Sequence, residues 1–446
     1  MKTNFSSAQL SDPRKKEADG ILRSCVHCGF CSSACPTYAV TGDERDSPRG
    51  RIWLIRDLLE SEGPPKDEAV FHLDRCLECL ACMPACPSGV DYGHLIGTAR
   101  EEIESRGRRS WRDRLRRWAL LSTLTDAARA RRLFALARNV RFLAALMPSR
   151  VAAALRLASA LPPASGAGPR AGVYPASGTR KGRVGVLRGC VQAAVAPGIN
   201  EALIRLLNRA GIEVVVLSGA DCCGALDKHL GRGDAARARA RAVIAAVLDE
   251  RDRKGLDAVI QTSSGCGTMI KDYAHLLAGD AAWASRAAEV SVLARDSSQY
   301  LAGIGLAFRP APQPLVIAWQ APCSLTNGQR VTAEPPVLLR AAGFTVVEPA
   351  DGGTCCGSAG VYNVLEPDMA ATLGDRKAAT LGALGADVVV SGNVGCMTQL
   401  AGRVALPVVH LVEMLDWASG GPPPRGVQGR AGGRGALEGP LTDLLY

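Results

Sequence analysis

The sequence has few aromatic residues and lacks the long apolar runs that place a chain in a membrane. Phe, Trp and Tyr make up 4% of its 446 residues, while hydrophobic residues together make up 47%. No stretch approaches the roughly 18 uncharged apolar residues of a membrane-spanning helix, and residues 1–20 contain no apolar segment typical of a secretory signal peptide. We therefore expect a cytoplasmic protein, and the chain length predicts about two or three domains.

Motifs for substrate chemistry are absent as well. No GxGxxG sequence follows a strand-like run, so the sequence predicts no site for the pyrophosphate of FAD or NAD. No pattern of Ser, His and Asp predicts a nucleophile, and we predict no catalytic residue in this chain.

Cysteine, by contrast, is abundant, at 16 residues. The cytosol keeps thiols reduced, so metal binding or redox chemistry is a better prediction than structural disulfides. Eight cysteines lie in two copies of one motif, CVHCGFCSSACP at 25–36 and CLECLACMPACP at 76–87. Both copies have the C-x₂-C-x₂-C-x₃-C-P spacing of bacterial [4Fe–4S] ferredoxins, in which three closely spaced cysteines wrap one face of a cubane. The sequence therefore predicts two [4Fe–4S] clusters.

In two-cluster ferredoxins, the fourth cysteine of each motif binds the other cluster. The same exchange here predicts two crossed ligand sets: Cys25, Cys28, Cys31 and Cys86 for one cluster, and Cys76, Cys79, Cys82 and Cys35 for the other. Zinc is the alternative metal. Zinc usually takes its ligands from paired C-x₂-C motifs. Two evenly spaced cysteine triplets, each followed by a more distant Cys-Pro, fit that pattern poorly.

The other eight cysteines form an internal repeat. The first set is Cys190, Cys222, Cys223 and Cys266, and the second set is Cys323, Cys355, Cys356 and Cys396. The adjacent pair follows the first cysteine by 32 residues in both sets, from 190 to 222 and from 323 to 355, and a glycine follows each pair. We interpret this agreement as a duplicated domain, here called the CCG domain. Its four thiols are candidate ligands for an additional metal ion or cluster, and a redox-active or structural thiol pocket is the alternative.

Short apolar runs alternate with helical patterns in both repeats. This alternation predicts α/β domains with parallel sheets, with the cysteines at the carboxyl ends of the strands. The fold class we predict is α+β multidomain, a helical two-cluster ferredoxin domain followed by duplicated α/β CCG domains. The predicted boundaries are 1–100 for the ferredoxin domain, 101–161 for a basic helical segment, 162–183 for a linker, 184–305 and 306–417 for the CCG domains, and 418–446 for a disordered tail.

The basic segment carries much of the net charge of +10. Trp111, Leu115, Trp118 and Leu121 fall on one face of a helix that is otherwise rich in arginine. Such a helix suits peripheral contact with an anionic membrane, and packing on the ferredoxin domain or on a partner is the alternative. We predict no nucleic-acid binding, because the arginines are not interleaved with stacking aromatics. A zinc-bearing nucleic-acid-binding protein is the alternative from a different class.

Several segments together resemble the iron–sulfur subunit family of glycolate oxidase. They are SCVHCGFCSSACPTYAVTGDERDSPRGRIWLI, DRCLECLACMPACPSGV, DCCGALDKHL, QTSSGCG, CCGSAG and GNVGC, and the resemblance covers about residues 17 to 416. It implies an electron-transfer subunit whose partner flavoprotein oxidises glycolate to glyoxylate on FAD. It also implies electron transfer to the quinone pool or another respiratory acceptor, at the inner face of the cytoplasmic membrane. The alternative is the iron–sulfur subunit of a lactate or anaerobic glycerol-3-phosphate dehydrogenase, because those related subunits share this layout.

Overall fold

The computed structural model describes residues 1–107, 109–160, 166–306, 308 and 313–427. It confirms the predicted fold class, a helical N-terminal domain followed by two α/β domains with parallel sheets. In this part of the chain, no helix is both long and apolar enough to cross a membrane.

Helices alone build the N-terminal domain. They are α1 (Ser7–Leu10), α2 (Pro13–Ser24), α3 (Phe30–Ser33), α4 (Pro36–Thr41), α5 (Pro48–Glu60), α6 (Asp67–Asp74) and α7 (Tyr92–Ser105), with a 3₁₀ turn at Glu44–Asp46. Helix α5 begins with a proline, and the Ser47 side chain before it accepts a hydrogen bond from the Gly50 amide. Leu22, Ile55 and Leu95 are fully buried in the common core. This core fixes the two cysteine loops, which begin where α2 and α6 end.

A helical segment joins this domain to the repeats. It contains α8 (Trp111–Leu124), α9 (Ala127–Asn139), a 3₁₀ turn at Arg141–Leu146 and α10 (Ser149–Ala160). Leu121 of α8 is buried against Leu230 of the first repeat and Val361 of the second. The segment therefore contacts both repeats.

The first repeat is a five-stranded sheet flanked by helices. Its strands are β1 (Gly172–Tyr174), β2 (Gly182–Val186), β3 (Ile212–Val216), β4 (Ala258–Gln261) and β5 (Ala294–Asp296), in the spatial order β1-β3-β2-β4-β5. Strand β1 pairs antiparallel with β3, and the remaining pairings are parallel. The helices are α11 (Val191–Val195), α12 (Gly198–Arg209), α13 (Ala225–His229), α14 (Gly233–Lys254), α15 (Ser264–Lys271), α16 (Tyr273–Leu276), α17 (Ala284–Leu293) and α18 (Ser297–Gly303).

The second repeat has the same topology without the antiparallel edge. Strands β6 (Val316–Gln320), β7 (Thr345–Val347), β8 (Val388–Ser391) and β9 (Val408–His410) form a parallel sheet in the order β7-β6-β8-β9. A π-helical turn at Ser324–Gly328 and the helices α19 (Glu334–Ala341), α20 (Tyr362–Leu365), α21 (Pro367–Gly382), α22 (Val394–Leu400) and α23 (Leu411–Ala418) complete it. In each repeat the first parallel strand, β2 or β6, has its two successors on opposite sides. That arrangement is a topological switch point, where open α/β sheets place their ligand sites.

One hydrophobic core runs across both repeats. It includes Leu206 of α12, Trp319 of β6 and Leu415 of α23, each at most 2% exposed. Asp416, which is almost fully buried, forms ion pairs with Arg205 and Arg209. The two repeats are therefore packed as a unit.

Two predicted boundaries differ from the structure. The predicted linker, 162–183, contains β1 and the start of β2, because the run GVY pairs along the edge of the first sheet despite its Gly- and Pro-rich surroundings. Residues 161–165 lie outside the described residues. The predicted disordered tail, 418–446, begins too early, since Val427 is buried in the shared core. Residues 428–446 lie outside the described residues.

Candidate electron-transfer centres

The two ferredoxin motifs place their cysteines around two neighbouring cavities. The first cavity is lined by Cys25, Cys28, Cys31, Cys86 and Cys82. The second is lined by Cys35, Cys76, Cys79 and Cys82. The first cavity gathers three cysteines of the first motif with Cys86 and Cys82 of the second, and the second cavity gathers three cysteines of the second motif with Cys35 of the first. Both linings contain the crossed set expected from the spacing, and Cys82 lies between the two.

Both cysteine loops have the same backbone conformation. His27 and Glu78, at the third position of each motif, have left-handed φ angles of 56° and 52°, and Gly29 and Leu80, at the fifth position, have φ angles of 87° and 59°. One result is that the Glu78 amide lies 3.4 Å from the Cys76 sulfur, as a donor to it. Amide donors of this kind stabilise anionic sulfur ligands. The spacing of the cysteines did not indicate these left-handed residues.

Three cysteines of the second cavity, Cys35, Cys76 and Cys82, are buried, and Cys79 is partly buried. Burial, reinforced by the neighbouring Cys323 and Cys76 respectively, raises the pKa of the Cys79 and Cys82 thiols. Thiolates at such sites need a positively charged partner, which iron supplies. In the described part of the chain, no three cysteine sulfurs lie within 4.8 Å of one another. Four sulfurs around a single zinc ion would be about 3.8 Å apart, so the observed donor sets suit a cluster better than one metal ion.

A buried charge network supports the second ligand loop from the side of α5. Asp46 is fully buried, forms ion pairs with Arg51 and Arg75 at 3.1 and 2.8 Å, and lies in hydrogen-bond contact with the His72 ring at 2.9 Å. Arg51 also reaches Cys35, with 3.9 Å between its Nη1 and the cysteine sulfur. The network thus places a guanidinium beside a predicted ligand.

A second network connects this loop to the first repeat. The Glu78 carboxylate bonds to Arg100 of α7 and to His229 of α13, and Arg100 also donates to the Cys76 carbonyl. Burial alone would raise the pKa of Glu78, but His229 and Arg100 outweigh it and lower the pKa to about 2. Sequence reasoning missed both residues, because Glu78 occupies an unspecified position of the C-x₂-C spacing and Arg100 belongs to no recognisable motif.

The second repeat contacts the same loop. Asn327 donates a hydrogen bond of 3.0 Å to the Cys79 carbonyl. Leu77 lies between two predicted ligands and packs in a small hydrophobic core with Cys355 and Tyr362. The ligand loop is therefore held by both repeats, whereas Cys28 of the first cavity is exposed.

All eight CCG cysteines line a single central cavity of about 410 Å³: Cys190, Cys222, Cys223, Cys266, Cys323, Cys355, Cys356 and Cys396. They lie beyond the carboxyl ends of the strands, as predicted, with Cys266 and Cys396 in the first turns of α15 and α22. The sulfurs of Cys323 and Cys355 are 3.8 Å apart. The cavity is thus shared by both repeats, which the sequence did not indicate.

The glycine after each Cys-Cys pair has a specific backbone role. Gly224 and Gly357 have left-handed φ angles of 86° and 82°. The Gly357 amide points to the Cys355 sulfur at 3.5 Å, and a side chain there would come within 2.8 Å of the Ala370 carbonyl oxygen. At Gly224 the corresponding distance to the Ala236 carbonyl oxygen is 3.0 Å. The two repeats therefore need glycine for the same reason.

Comparison with known proteins agrees with these sites. The family model described as a 4Fe-4S dicluster domain matches residues 24–90, and the one described as a cysteine-rich domain matches residues 184–271 and 317–401. The chain is 37% identical over 419 residues to the glycolate oxidase iron-sulfur subunit of Escherichia coli, covering 94% of this chain and 99% of that protein. It is 32% identical over 450 residues to a probable glycolate oxidase iron-sulfur subunit of Bacillus subtilis, with the same coverage.

The chain belongs to the family of glycolate oxidase iron–sulfur subunits. The predicted family and the predicted [4Fe–4S] clusters are thereby confirmed, and the chain is an electron-transfer iron–sulfur subunit of an oxidase. A lactate utilization protein A of Exiguobacterium is a more distant relative, 25% identical over 234 residues that cover 51% of this chain and 94% of that protein. The assignment of individual cysteines to each cluster stays a prediction that the cavity linings support.

Proposed function

We propose that the protein is the electron-transfer subunit of a membrane-associated complex that oxidises glycolate to glyoxylate. In this proposal a partner flavoprotein oxidises glycolate on FAD, and this chain passes the electrons on to the quinone pool. A [4Fe–4S] cluster carries single electrons and cannot accept a hydride, so glycolate oxidation belongs on the flavin.

The observation that carries this proposal is the pair of adjacent cavities with crossed cysteines. Because Cys82 lines both cavities, the two centres are neighbours within one small domain. The chain's own residues hold the two sites, donate amide hydrogen bonds to their sulfurs and enclose the second site with Leu77 and Tyr362. These roles suit electron transfer rather than substrate binding.

Exposed apolar side chains of the basic helical segment support the membrane association. Trp111 and Trp118 of α8 are 68% and 58% exposed, and Phe142 and Leu146 in the turn after α9 are 75% and 81% exposed. The surrounding helices are rich in arginine. Exposed aromatic and apolar side chains among cations suit an interface with anionic lipid at the inner face of the cytoplasmic membrane. Leu121, predicted on the same face as the tryptophans, instead packs inward.

The cofactor part of the proposal is tested on anaerobically purified full-length protein. We expect about eight iron atoms per chain and the EPR signals of two reduced cubanes after dithionite. A colourless, zinc-containing preparation would contradict it.

The substrate part needs a separate test. Deleting the gene should abolish glycolate-dependent quinone reduction by the host's membranes and leave oxidation of lactate and glycerol-3-phosphate intact. Loss of lactate oxidation instead would favour the second candidate, a lactate-oxidising complex, which the similarity to lactate utilization protein A supports.

A further inference from the structure

The central cavity between the repeats has the features of a ligand site in addition to its thiols. Both sheets turn their topological switch points toward it, since residues after β2, β4, β6 and β8 line it together. Its volume of about 410 Å³ falls in the range of small-molecule sites. Leu77, Leu80 and Met83 form an apolar wall on the side of the ferredoxin domain.

Two buried amide side chains in the lining have unused polar atoms. Gln261, at the end of β4, and Gln192, at the start of α11, are only 3% and 4% exposed. Within the described residues, Gln261 Nε2 and Gln192 Oε1 have no hydrogen-bond partner. Buried polar groups are rarely left in this state, so Gln261 Nε2 points to a ligand atom that accepts a hydrogen bond, and Gln192 Oε1 to one that can donate, such as a hydroxyl.

The charges of the lining favour a ligand that accepts hydrogen bonds. The acidic side chains are already neutralised, Glu78 by Arg100 and Asp272 by Lys228. Asp91 likewise pairs with His94.

Two cations in the lining remain available. Lys271 donates to the neutral Gln299 side chain, at 3.1 Å, rather than to a carboxylate. Arg330 has no hydrogen bond or ion pair to any residue that the structure describes, and it has a left-handed φ of 57°. Strained residues of this kind cluster at ligand sites.

The cavity also adjoins the enclosed cluster site. Three residues that line the cavity are sequence neighbours of the predicted ligands Cys76 and Cys79: Leu77 and Glu78 lie between the two cysteines, and Leu80 follows the second. Asn327, another lining residue, holds the Cys79 carbonyl. A molecule in the cavity is therefore separated from this site by one layer of side chains.

We propose that the central cavity binds the ring of a quinone, whose carbonyl oxygens accept hydrogen bonds from Gln261, Lys271 and Arg330 while the ring lies on the apolar wall. This inference rests on the proposed function and locates its electron acceptor. Reduction of the quinone to the quinol takes two electrons from the reduced protein and two protons from water, and each carbonyl becomes a hydroxyl.

Gly265 allows a direct test. It lines the cavity at the start of α15, and a Cβ built there meets no atom within 4 Å, so Gly265→Phe fills the cavity without a clash. Gly303, exposed at the end of α18, is equally open, and Gly303→Phe is the matched control. Lys271→Met keeps the side-chain length and removes one donor.

The probe is duroquinone, whose fully substituted ring cannot add thiols. Its binding to oxidised, cluster-loaded full-length protein is measured by equilibrium dialysis, and EPR after dithionite verifies that every variant retains its cubanes. We expect about one duroquinone per chain for the wild type and Gly303→Phe, at least tenfold weaker binding for Gly265→Phe, and severalfold weaker binding for Lys271→Met.

Equal binding by the two phenylalanine variants, or no binding by the wild type, would overturn the proposal. So would binding of glyoxylate, lost in Gly265→Phe, without binding of duroquinone, because the cavity would then be a carboxylate site. The proposed function is judged separately, by whether glycolate and the partner flavoprotein reduce the clusters. That reaction can fail while the quinone still binds.

Discussion

His27 and Glu78 show how much of a cluster site depends on single residues that are not ligands. Both have left-handed backbone conformations that are unfavourable for residues other than glycine. In return, the loop at Glu78 turns an amide toward the Cys76 sulfur and the carboxylate toward His229. One residue thus connects the ligand loop to the neighbouring repeat.

The crossed ligand assignment predicts which cysteine substitutions act on the same cluster. In Cys35→Ser/Cys79→Ser, both changes fall on one cluster, so the protein should keep the other and retain about four iron atoms per chain. In Cys35→Ser/Cys28→Ser, the changes fall on different clusters and should remove both. Iron analysis with EPR distinguishes the two variants, and uncrossed ligands would give the opposite pattern.

The glycines after the Cys-Cys pairs predict a loss of stability on substitution. Gly357→Ala should lower the free energy of unfolding by about 2–3 kcal/mol, because alanine is strained at positive φ and its Cβ would press on the Ala370 carbonyl. Gly303→Ala, at an open helical position, is the control and should be neutral or slightly stabilising. Urea unfolding measures both, and equal stability of the two variants would contradict the proposed role.

At the scale of elements, α23 is fixed to the first repeat by a buried histidine. His410 is fully buried at the start of α23 and donates a 2.8 Å hydrogen bond to the Thr262 carbonyl after β4. Burial lowers the pKa of His410 from 6.5 to about 4. Between about pH 6.5 and pH 4, the folded protein therefore keeps this imidazole neutral, whereas the same imidazole takes up a proton in the unfolded chain.

This contact predicts a pH dependence of stability. The stabilisation is complete above pH 6.5, the unfolded pKa, and decreases as the pH falls toward the folded value near 4. Between pH 7 and pH 5 the free energy of unfolding should fall by about 2 kcal/mol more in the wild type than in His410→Gln, which has no titrating group at this position. Urea unfolding at the two pH values checks this, and identical losses would show that His410 is not responsible.

Elements also show where sequence reasoning reached its limit. The apolar runs predicted the parallel strands and the cysteine spacing predicted the ligand loops, because both signals are local. The strand at Gly172–Tyr174 and the inward position of Leu121 depend on partners far along the chain, β3 and Val361. No local pattern encodes such contacts.

For the whole molecule, the exposed apolar side chains of the basic helical segment predict lipid binding by the full-length protein. Replacing Trp111 and Trp118 with serine should weaken binding to anionic vesicles about tenfold or more, since interfacial tryptophans provide much of the buried area. The control replaces Val292 and Val337, exposed elsewhere on the repeats, with serine and should bind as the wild type does.

Cosedimentation with vesicles of phosphatidylglycerol and with vesicles of phosphatidylcholine measures this binding. We expect a preference for the anionic lipid that declines with salt, as arginine contacts require. Equal binding by both double variants would show that α8 is not the lipid contact.

The way in which the domains pack together was harder to predict from the sequence than the single residues or the helices and strands. The duplication predicted two similar thiol sets, but not that they share one cavity or that the loop around Glu78 closes against it. Those facts depend on how surfaces of separate domains fit, which residue spacing does not record.

The enclosure of one cysteine loop has a consequence for how the protein is made. Cys28 is open to solvent, whereas the loop with Cys79 is held between His229 of the first repeat and Asn327 of the second. A scaffold that delivers iron and sulfide meets the site with Cys28 directly in the finished protein, whereas both repeats lie against the loop of the inner site, which contains Cys79. We therefore expect maturation in a fixed order, with the inner cluster inserted into a chain whose C-terminal half is still emerging or open.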